Sequence, residues 1–232
     1  MKVAIRGGDA DDVAAAGVGG ATVVDEAADP DAVVAVSDAA IRSAVADPPA
    51  APLLPVTPAG GRHVVPRDTL DAAVAAVVAG DGRVDTHPVL GLHHDGDAVA
   101  RALRDVTLVT DAPASISEYA LAVGDERLGS VRADGIVVAT PLGSDGYAAA
   151  AGGPILEAAA GVAVVPIAPF STAAETRVVD PTVPLTCTVE REGAVALVVD
   201  GVRRGVVDRG AHLRIDRVGS LDVVTPTGTE NF

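Results

Sequence analysis

A chain of 232 residues is long enough for one large domain or two small ones. Its 49% hydrophobic content comes from Ala, Val and Leu, with aromatics at 2%, and its net charge is −15 with Lys2 the sole lysine. Such a charge excludes general nucleic-acid binding and attachment to anionic membranes, and a phosphorylated ligand would need Mg²⁺, local arginines or abundant counter-ions to approach.

Arg in place of Lys, few aromatics and a pI near 4.5 fit a haloarchaeal protein kept soluble in strong salt, or a GC-rich mesophile with an acidic surface. The single cysteine, Cys187, rules out an intrachain disulfide framework and suits a reducing compartment. With no charged-then-apolar leader and no bilayer-long apolar run, a cytoplasmic location is the expectation.

Taken in order, Lys2–Ile5 is a short apolar strand that runs into Arg6-Gly7-Gly8-Asp9. A helix is predicted over Asp11–Ala16, ended by Gly17, Gly19 and Gly20. Val23-Val24 and Val33–Val36 read as further strands, giving a β-α-β rhythm and a small Rossmann-like half. Pro52–Val56 reads as a strand placed near a sheet edge by its prolines. A helix is predicted from Asp68, its capping residue, with Leu70, Val74, Val77 and Val78 on one face and Gly80 at its end. The loop that follows places a domain boundary near residue 85, giving 1–85 as an α/β domain and 86–232 as a β-rich one, with the C-terminal end free to pack back on the first.

From Val89 the period shortens, with turn signals at His94–Asp97, Gly124–Glu126, Arg191–Gly193 and Asp200-Gly201. Leu185–Glu190 and Ala194–Asp200 read as consecutive hairpin strands of an antiparallel, sandwich-like domain. Its one convincing helix is expected after Tyr147, in the alanine run before Gly152-Gly153-Pro154. The fold class is thus α/β followed by antiparallel β.

The stretch with most chemical content is Asp134–Leu156, DGIVVATPLGSDGYAAAAGGPIL. A buried strand opening into a Gly/Ser/Thr loop at a helix start offers N–H groups and hydroxyls to an anionic or sugar ligand, although an ordinary strand-loop-helix connection reads the same way. The segment resembles the signature of the ATP-dependent NAD kinase family, approximately DG-hydrophobic-TPTGSTAY-x4-GGPI. Asp134, Gly135, Thr140, Pro141, Gly143, Ser144, Tyr147, Gly152, Gly153, Pro154 and Ile155 stand where that pattern wants them. Leu142, Asp145 and Gly146 replace Thr, Thr and Ala.

The resemblance implies an NAD-kinase-like fold and phosphorylation of the adenosine-ribose 2′-hydroxyl of NAD to give NADP. The partners would be NAD with ATP or polyphosphate, Mg²⁺ the cofactor, and the assembly a homo-oligomer, dimer or tetramer. The family's GGDG motif has two candidates here, Gly7–Ala10 and Val36–Ala39, and position in the chain favours the second, with Asp38 as the catalytic residue. In the donor loop Ser37 and Ala39 then replace glycines, at about 1–2 kcal/mol for any position needing φ > 0. Asp38 could serve as general base or Mg²⁺ ligand, or merely cap the next helix.

The family's Asn-Glu pair falls on Arg104 and Asp105, of which only Asp105 keeps an acceptor for ribose hydroxyls. Arg104 could contact a phosphate or form an exposed ion pair with Asp105. The resemblance further assigns Asp134, Thr140, Ser144 and Tyr147 to NAD, with Gly143, Asp145 and Asp200 secondary. Tyr147 could instead be a core residue, and Asp200-Gly201 simply a hairpin turn. Phe170 stands where the family has a histidine. His63, His87, His93, His94 and His212 lack metal-ligand spacing. The alternative function is a catalytically degenerate homologue that binds NAD(P) or another nucleotide as a sensor or partner subunit; a third is a kinase whose acceptor has drifted.

Overall fold

Lys2–Arg6 (β1), Thr22–Val23 (β2), Ala32–Val36 (β3) and Leu53–Thr57 (β4) lie parallel in the order β2-β1-β3-β4. Every residue of β3 and β4 is buried, which is why both read as unbroken apolar runs rather than alternating ones. This computed structural model describes residues 1–7, 18–111, 116–191 and 194–227. Asp9 and the helix expected over Asp11–Ala16 lie outside them. The chain divides into two compact units, Met1–His87 with the stretch from Leu221, and Pro88–Ser220.

In the first unit, β4 is an interior strand rather than the edge strand its prolines suggested. It pairs with β3 on one side, and on the other with Val65–Pro66 (β5) and with the last strand at Val223↔Leu53. The bonds Val33 N–H→Pro52 and Ser37 N–H→Val56 leave the position of Pro55's missing donor on the side away from β3. Parallel pairing alternates sides, so a proline in that register breaks no β3–β4 bond.

The helix after β3, Asp38–Ala46 (α1), is capped by Ser37, whose Oγ accepts the Ala40 N–H at 3.2 Å. Leu70–Ala79 (α2) buries Leu70, Ala73 and Val74 against the β1, β3 and β4 side chains. Gly80 ends it at φ +88, and Asp81 N–H reaches back to Ala76 O, a Schellman closure. Asp68 does not cap it. That residue sits in a 3₁₀ turn, Arg67–Thr69, and the helix starts at Leu70 without a side-chain cap.

The second unit is a sandwich. The chain contributes Gly82–His94 (β6), Asp97–Ala102 (β7), Asp105–Thr110 (β8), Ser117–Val123 (β9), Glu126–Ala133 (β10) and Gly135–Ala139 (β11). Val162–Ile167 (β12), Arg177–Val179 (β13), Leu185–Val189 (β14), Val195–Val199 (β15), Val202–Val207 (β16) and His212–Pro226 (β17) follow. One sheet runs β10-β9-β14-β17, with the β6–β7 hairpin beside β17; the other runs β13-β12-β11-β8-β15-β16. Leu90, Leu108, Tyr119, Ile136, Leu185, Leu197 and Leu213 belong to the core between them.

One expectation changes here. β14 and β15 are not a hairpin: β14 pairs with β9 and β17, β15 with β8 and β16, so the chain crosses from one sheet to the other. Alternation along each strand places apolar residues toward a core but does not say which sheet the strand joins. The helix expected in the alanine run before Gly152 is present, and it begins earlier than the run does. Ser144–Ala148 forms a wide helical turn kinked at Gly146 (φ −90°, ψ −126°), and the helical backbone is over by Gly152 (φ +89).

Candidate functional site

Three segments meet at one end of β11, β8 and β15: the entry to β8, the loop after β11, and the Asp200-Gly201 turn. The turn has φ +46 and +74 at its two central residues, the I′ geometry of a two-residue hairpin. It also holds the neighbouring loop. The buried Asp200 carboxylate accepts N–H groups from Leu103 (2.9 Å), Arg104 (2.8 Å) and Asp105 (3.0 Å), and Asp200 N–H returns a bond to Asp105 O.

The loop after β11 is locked to the same segment. Thr140 N–H donates to Arg104 O at 2.8 Å, and Thr140 Oγ1 donates to Leu103 O at 2.5 Å. Gly143 lies so close that a Cβ there would come 2.3 Å from Arg104 O, which explains the glycine without any unusual φ. Ser144 Oγ donates to Pro141 O at 2.8 Å and accepts Leu156 N–H at 3.0 Å, tying the two ends of the signature together. Thr140 and Ser144 are fully buried, so in this structure both hydroxyls are spent inside the loop. Ala148 and Leu156 pack that loop onto Val137, Val165 and Ile167, which lie on the outer face of the sheet.

What the loop leaves in the open is Asp145, Gly146 and Tyr147. Tyr147 is 45% exposed, which removes the core-tyrosine reading. Asp105, half-buried at the start of β8, accepts Thr107 Oγ1 at 3.2 Å. Burial and then the Asp200 charge push its carboxyl up to about 6, partly offset by the Thr107 bond and Arg104. Arg104 is half-buried beside it.

Asp134 does not join this group. It precedes β11 at the end where Gly135 pairs with Val109, whereas Asp105 pairs with Ala139 at the other. Five residues of strand separate those ends by about 15 Å. At the Asp134 end, Phe170 N–H donates to Arg132 O and its ring is 74% exposed, over an open groove of about 550 Å³ lined by Arg132, Ser171, Glu175 and Arg177.

The first unit carries its own candidate. The strand order puts a topological switch point between β1 and β3, where chains leave in opposite directions and open a crevice at the carboxyl ends. Gly7 (φ +138) follows β1, with a Cβ there only 2.5 Å from Val36 O; Ser37 and Asp38 follow β3. Ser37 sits at φ +112, ψ +156, a region essentially reserved for glycine. Asp38 is half-buried in the first turn of α1, and Ala39 is exposed.

Among the described residues no group of three or more His, Cys, Asp or Glu could hold a metal ion. His63 and His87, which spacing alone left unconnected, stack edge-on in the first unit with ring centroids 4.9 Å apart. Burial, then the His63 ring, lowers His87 to about 4. What the sequence reading missed was Leu103, whose N–H and carbonyl are the anchor for Asp200 and Thr140; an apolar residue carries no sign of that role.

The fold and the locked signature loop define a two-unit protein, parallel α/β then antiparallel sandwich. Yeast NADH kinase complexed with NADH superposes over 90% of this chain and 68% of that one (TM-score 0.72, 17% identity). An NAD kinase from Archaeoglobus fulgidus in complex with ATP superposes over 99% and 94% (TM-score 0.67, 23% identity). At the sequence level, the family model of the ATP-NAD kinase C-terminal domain matches residues 103–218. The chain belongs to the ATP-NAD kinase family.

Curated relatives are NAD kinases of Methanothermobacter thermautotrophicus, 36% identical over 56% of this chain and 46% of the relative, and of Methanopyrus kandleri, 33% identical over 70% and 56%. The chain therefore spans about half the length of the curated relatives it matches. No helix among the described residues is long and apolar enough to cross a membrane.

Proposed function

We propose that this protein is an NAD kinase, transferring a phosphoryl group from ATP or polyphosphate to the adenosine-ribose 2′-hydroxyl of NAD. The observation that carries the reading is the family match over residues 103–218, which includes both the Arg104-Asp105 segment and the signature loop packed on it. In this reading Asp105 accepts hydrogen bonds from ribose hydroxyls, and exposed Tyr147 supplies an aromatic face or a phenol to the dinucleotide. Thr140, Ser144 and Gly143 act by shaping the loop, while Asp145 and Arg104 border it. Asp134, at the far end of β11, would meet a different part of the ligand.

In the first unit Asp38 is assigned to the acceptor hydroxyl, as the base that takes its proton. Phosphoryl transfer asks the protein mainly for positioning and charge neutralisation. Mg²⁺ bound to donor phosphates would supply that neutralisation, and such a metal needs only one or two protein carboxylates, which the half-buried Asp38 fits. The Ser37-Asp38-Ala39 turn, at the carboxyl end of β3, is the place for the donor phosphates. We further propose a cytoplasmic, homo-oligomeric enzyme.

The test is NADP⁺ formation by the purified protein with NAD, Mg²⁺ and ATP or polyphosphate in molar KCl, beside Asp38→Asn. Turnover abolished by the substitution supports the kinase and its base. Absence of turnover by folded protein that still binds NAD saturably would refute it and leave a ligand-binding homologue.

A further inference from the structure

The Asp105 carboxyl does not stand alone. Its backbone N–H, with those of Leu103 and Arg104, is held by one carboxylate from a turn 95 to 97 residues further along the chain. Both Asp200 oxygens are used: Oδ2 takes Leu103, and Oδ1 takes Arg104 and Asp105. Only 4% of Asp200 is exposed, so it is a support for the site and not a surface that a ligand reaches.

We propose that Asp200 is the positioning residue of this site: it pins the Leu103–Asp105 backbone and sets a second negative charge against the Asp105 carboxyl. Three N–H donors converging on one carboxylate fix the backbone direction from which the Asp105 side chain departs. The buried charge beside it discourages ionisation of Asp105 and so favours any partner that compensates a negative charge or donates hydrogen bonds to it. A vicinal diol is such a partner, because two hydroxyl donors can meet one carboxylate. Facing Asp105 are Asp200 from the β15–β16 turn, Thr107 on β8 itself and Arg104 beside it. Burial and the Asp200 charge hold the carboxyl near 6, against the Thr107 bond and Arg104. From β11 the residue opposite is Ala139, which carries no charge.

The inference rests on the nucleotide reading only for the identity of the ligand, and the experiment separates the two. The Asp105 carboxyl is titrated by carbon-detected NMR in ligand-free wild type and in Asp200→Asn, and NAD affinity is measured by calorimetry from pH 5 to 7.5. An amide supplies one acceptor where two oxygens are used, and it removes the charge. The Asp105 midpoint is expected to fall toward the ordinary carboxylate range in Asp200→Asn. The wild-type loss of NAD affinity between pH 7 and pH 5, about tenfold for a group titrating near 6, should shrink in Asp200→Asn in step with that midpoint, burial alone still holding it up. A residue with a merely structural role would weaken binding equally at every pH, and an unmoved midpoint overturns the proposal.

A moved midpoint with pH-independent NAD affinity supports the Asp200–Asp105 coupling and refutes Asp105 as a nucleotide contact. Should Asp200→Asn not fold, Asp105→Asn answers instead. The affinity step near pH 6 must vanish in that variant, and its persistence overturns the proposal.

Discussion

Ser37 lies where a side chain should be costly, and replacing it by glycine should stabilise the protein. At φ +112, ψ +156 it occupies a region in which non-glycine residues carry about 1–3 kcal/mol of strain. Ser37→Gly releases that strain. Against this stand a few tenths of a kcal/mol for the Ala40 N–H cap, which glycine replaces well, and about 0.4–1 kcal/mol of added freedom in the unfolded chain. The net is about +1 kcal/mol. Ser37→Ala keeps the strained Cβ and loses the cap, for about −1 kcal/mol. The two variants should therefore differ by about 2 kcal/mol, or roughly 4–8 °C in Tm for a chain of this length. Urea melts at constant m-value in molar KCl measure the gap. At an ordinary cap glycine already outdoes alanine by about 0.7 kcal/mol, so a gap no larger than about 1 kcal/mol would refute the strained backbone. The same glycine bares backbone at the carboxyl end of β3, and a lower KM for ATP in Ser37→Gly is the expected kinetic companion.

Thr140→Val, nearly isosteric, strips the hydroxyl from a fully buried site and leaves Leu103 O without that donor, at an expected cost of about 1–3 kcal/mol in urea melts. Cys187, the only cysteine, is buried and its thiol is pushed up to about 12, so alkylation of native protein should be far slower than of free thiol and should track unfolding. The pH dependence of stability has two opposing limbs. His87, lowered from 6.5 to about 4, takes its proton in the unfolded chain first, so stability falls by about 3 kcal/mol as pH drops through that window. Asp105, raised from 3.8 to about 6, takes its proton in the native state first, so stability rises by about 3 kcal/mol as pH drops from 6 to 3.8. Asp105→Asn should remove the rising limb and His87→Gln the falling one, and urea melts from pH 4 to 7 that move in the same sense for both variants would contradict the assignment.

How far the sequence disclosed this depends on which interaction carried each feature. β3 and α2 were legible because local pattern decides them: a continuous apolar run buried on both faces, and a 3.6-residue face closed by Gly80. The Asp134–Leu156 loop was legible because close packing leaves few residue choices, as at Gly143 against Arg104 O. Partners across sheets were not. Nothing in Leu185–Val189 or Val195–Val199 says that these strands belong to different sheets, and nothing in Leu103 announces that its two backbone groups anchor the site. Pro55 suggested an edge because its ring removes a donor, yet the register turned that gap away from β3. The short helix after Tyr147, like α2, was legible for a local reason, since alanine favours helix and Gly152, at φ +89, ends it.

The loop's chemistry also separates two kinds of constraint that a motif merges. Thr140, Gly143 and Ser144 match the signature; Thr140 and Ser144 are fully buried and spend their hydroxyls on internal contacts, and Gly143 is fixed by backbone approach. Leu142, one of the departures, is likewise buried at 2%, where an apolar side chain simply joins the packing. The other two departures, Asp145 and Gly146, fall in the exposed turn beside Tyr147, where no core contact dictates the residue. The matching positions thus preserve the shape of the loop, and the changes that bear on a ligand are confined to the turn it presents. A carboxylate there, on a chain whose net charge is −15, would disfavour a phosphate at that turn and leave it to a ribose or base edge. In the proposed kinase reading the donor phosphates are met instead at Ser37–Ala39, where the backbone of Ser37 is strained.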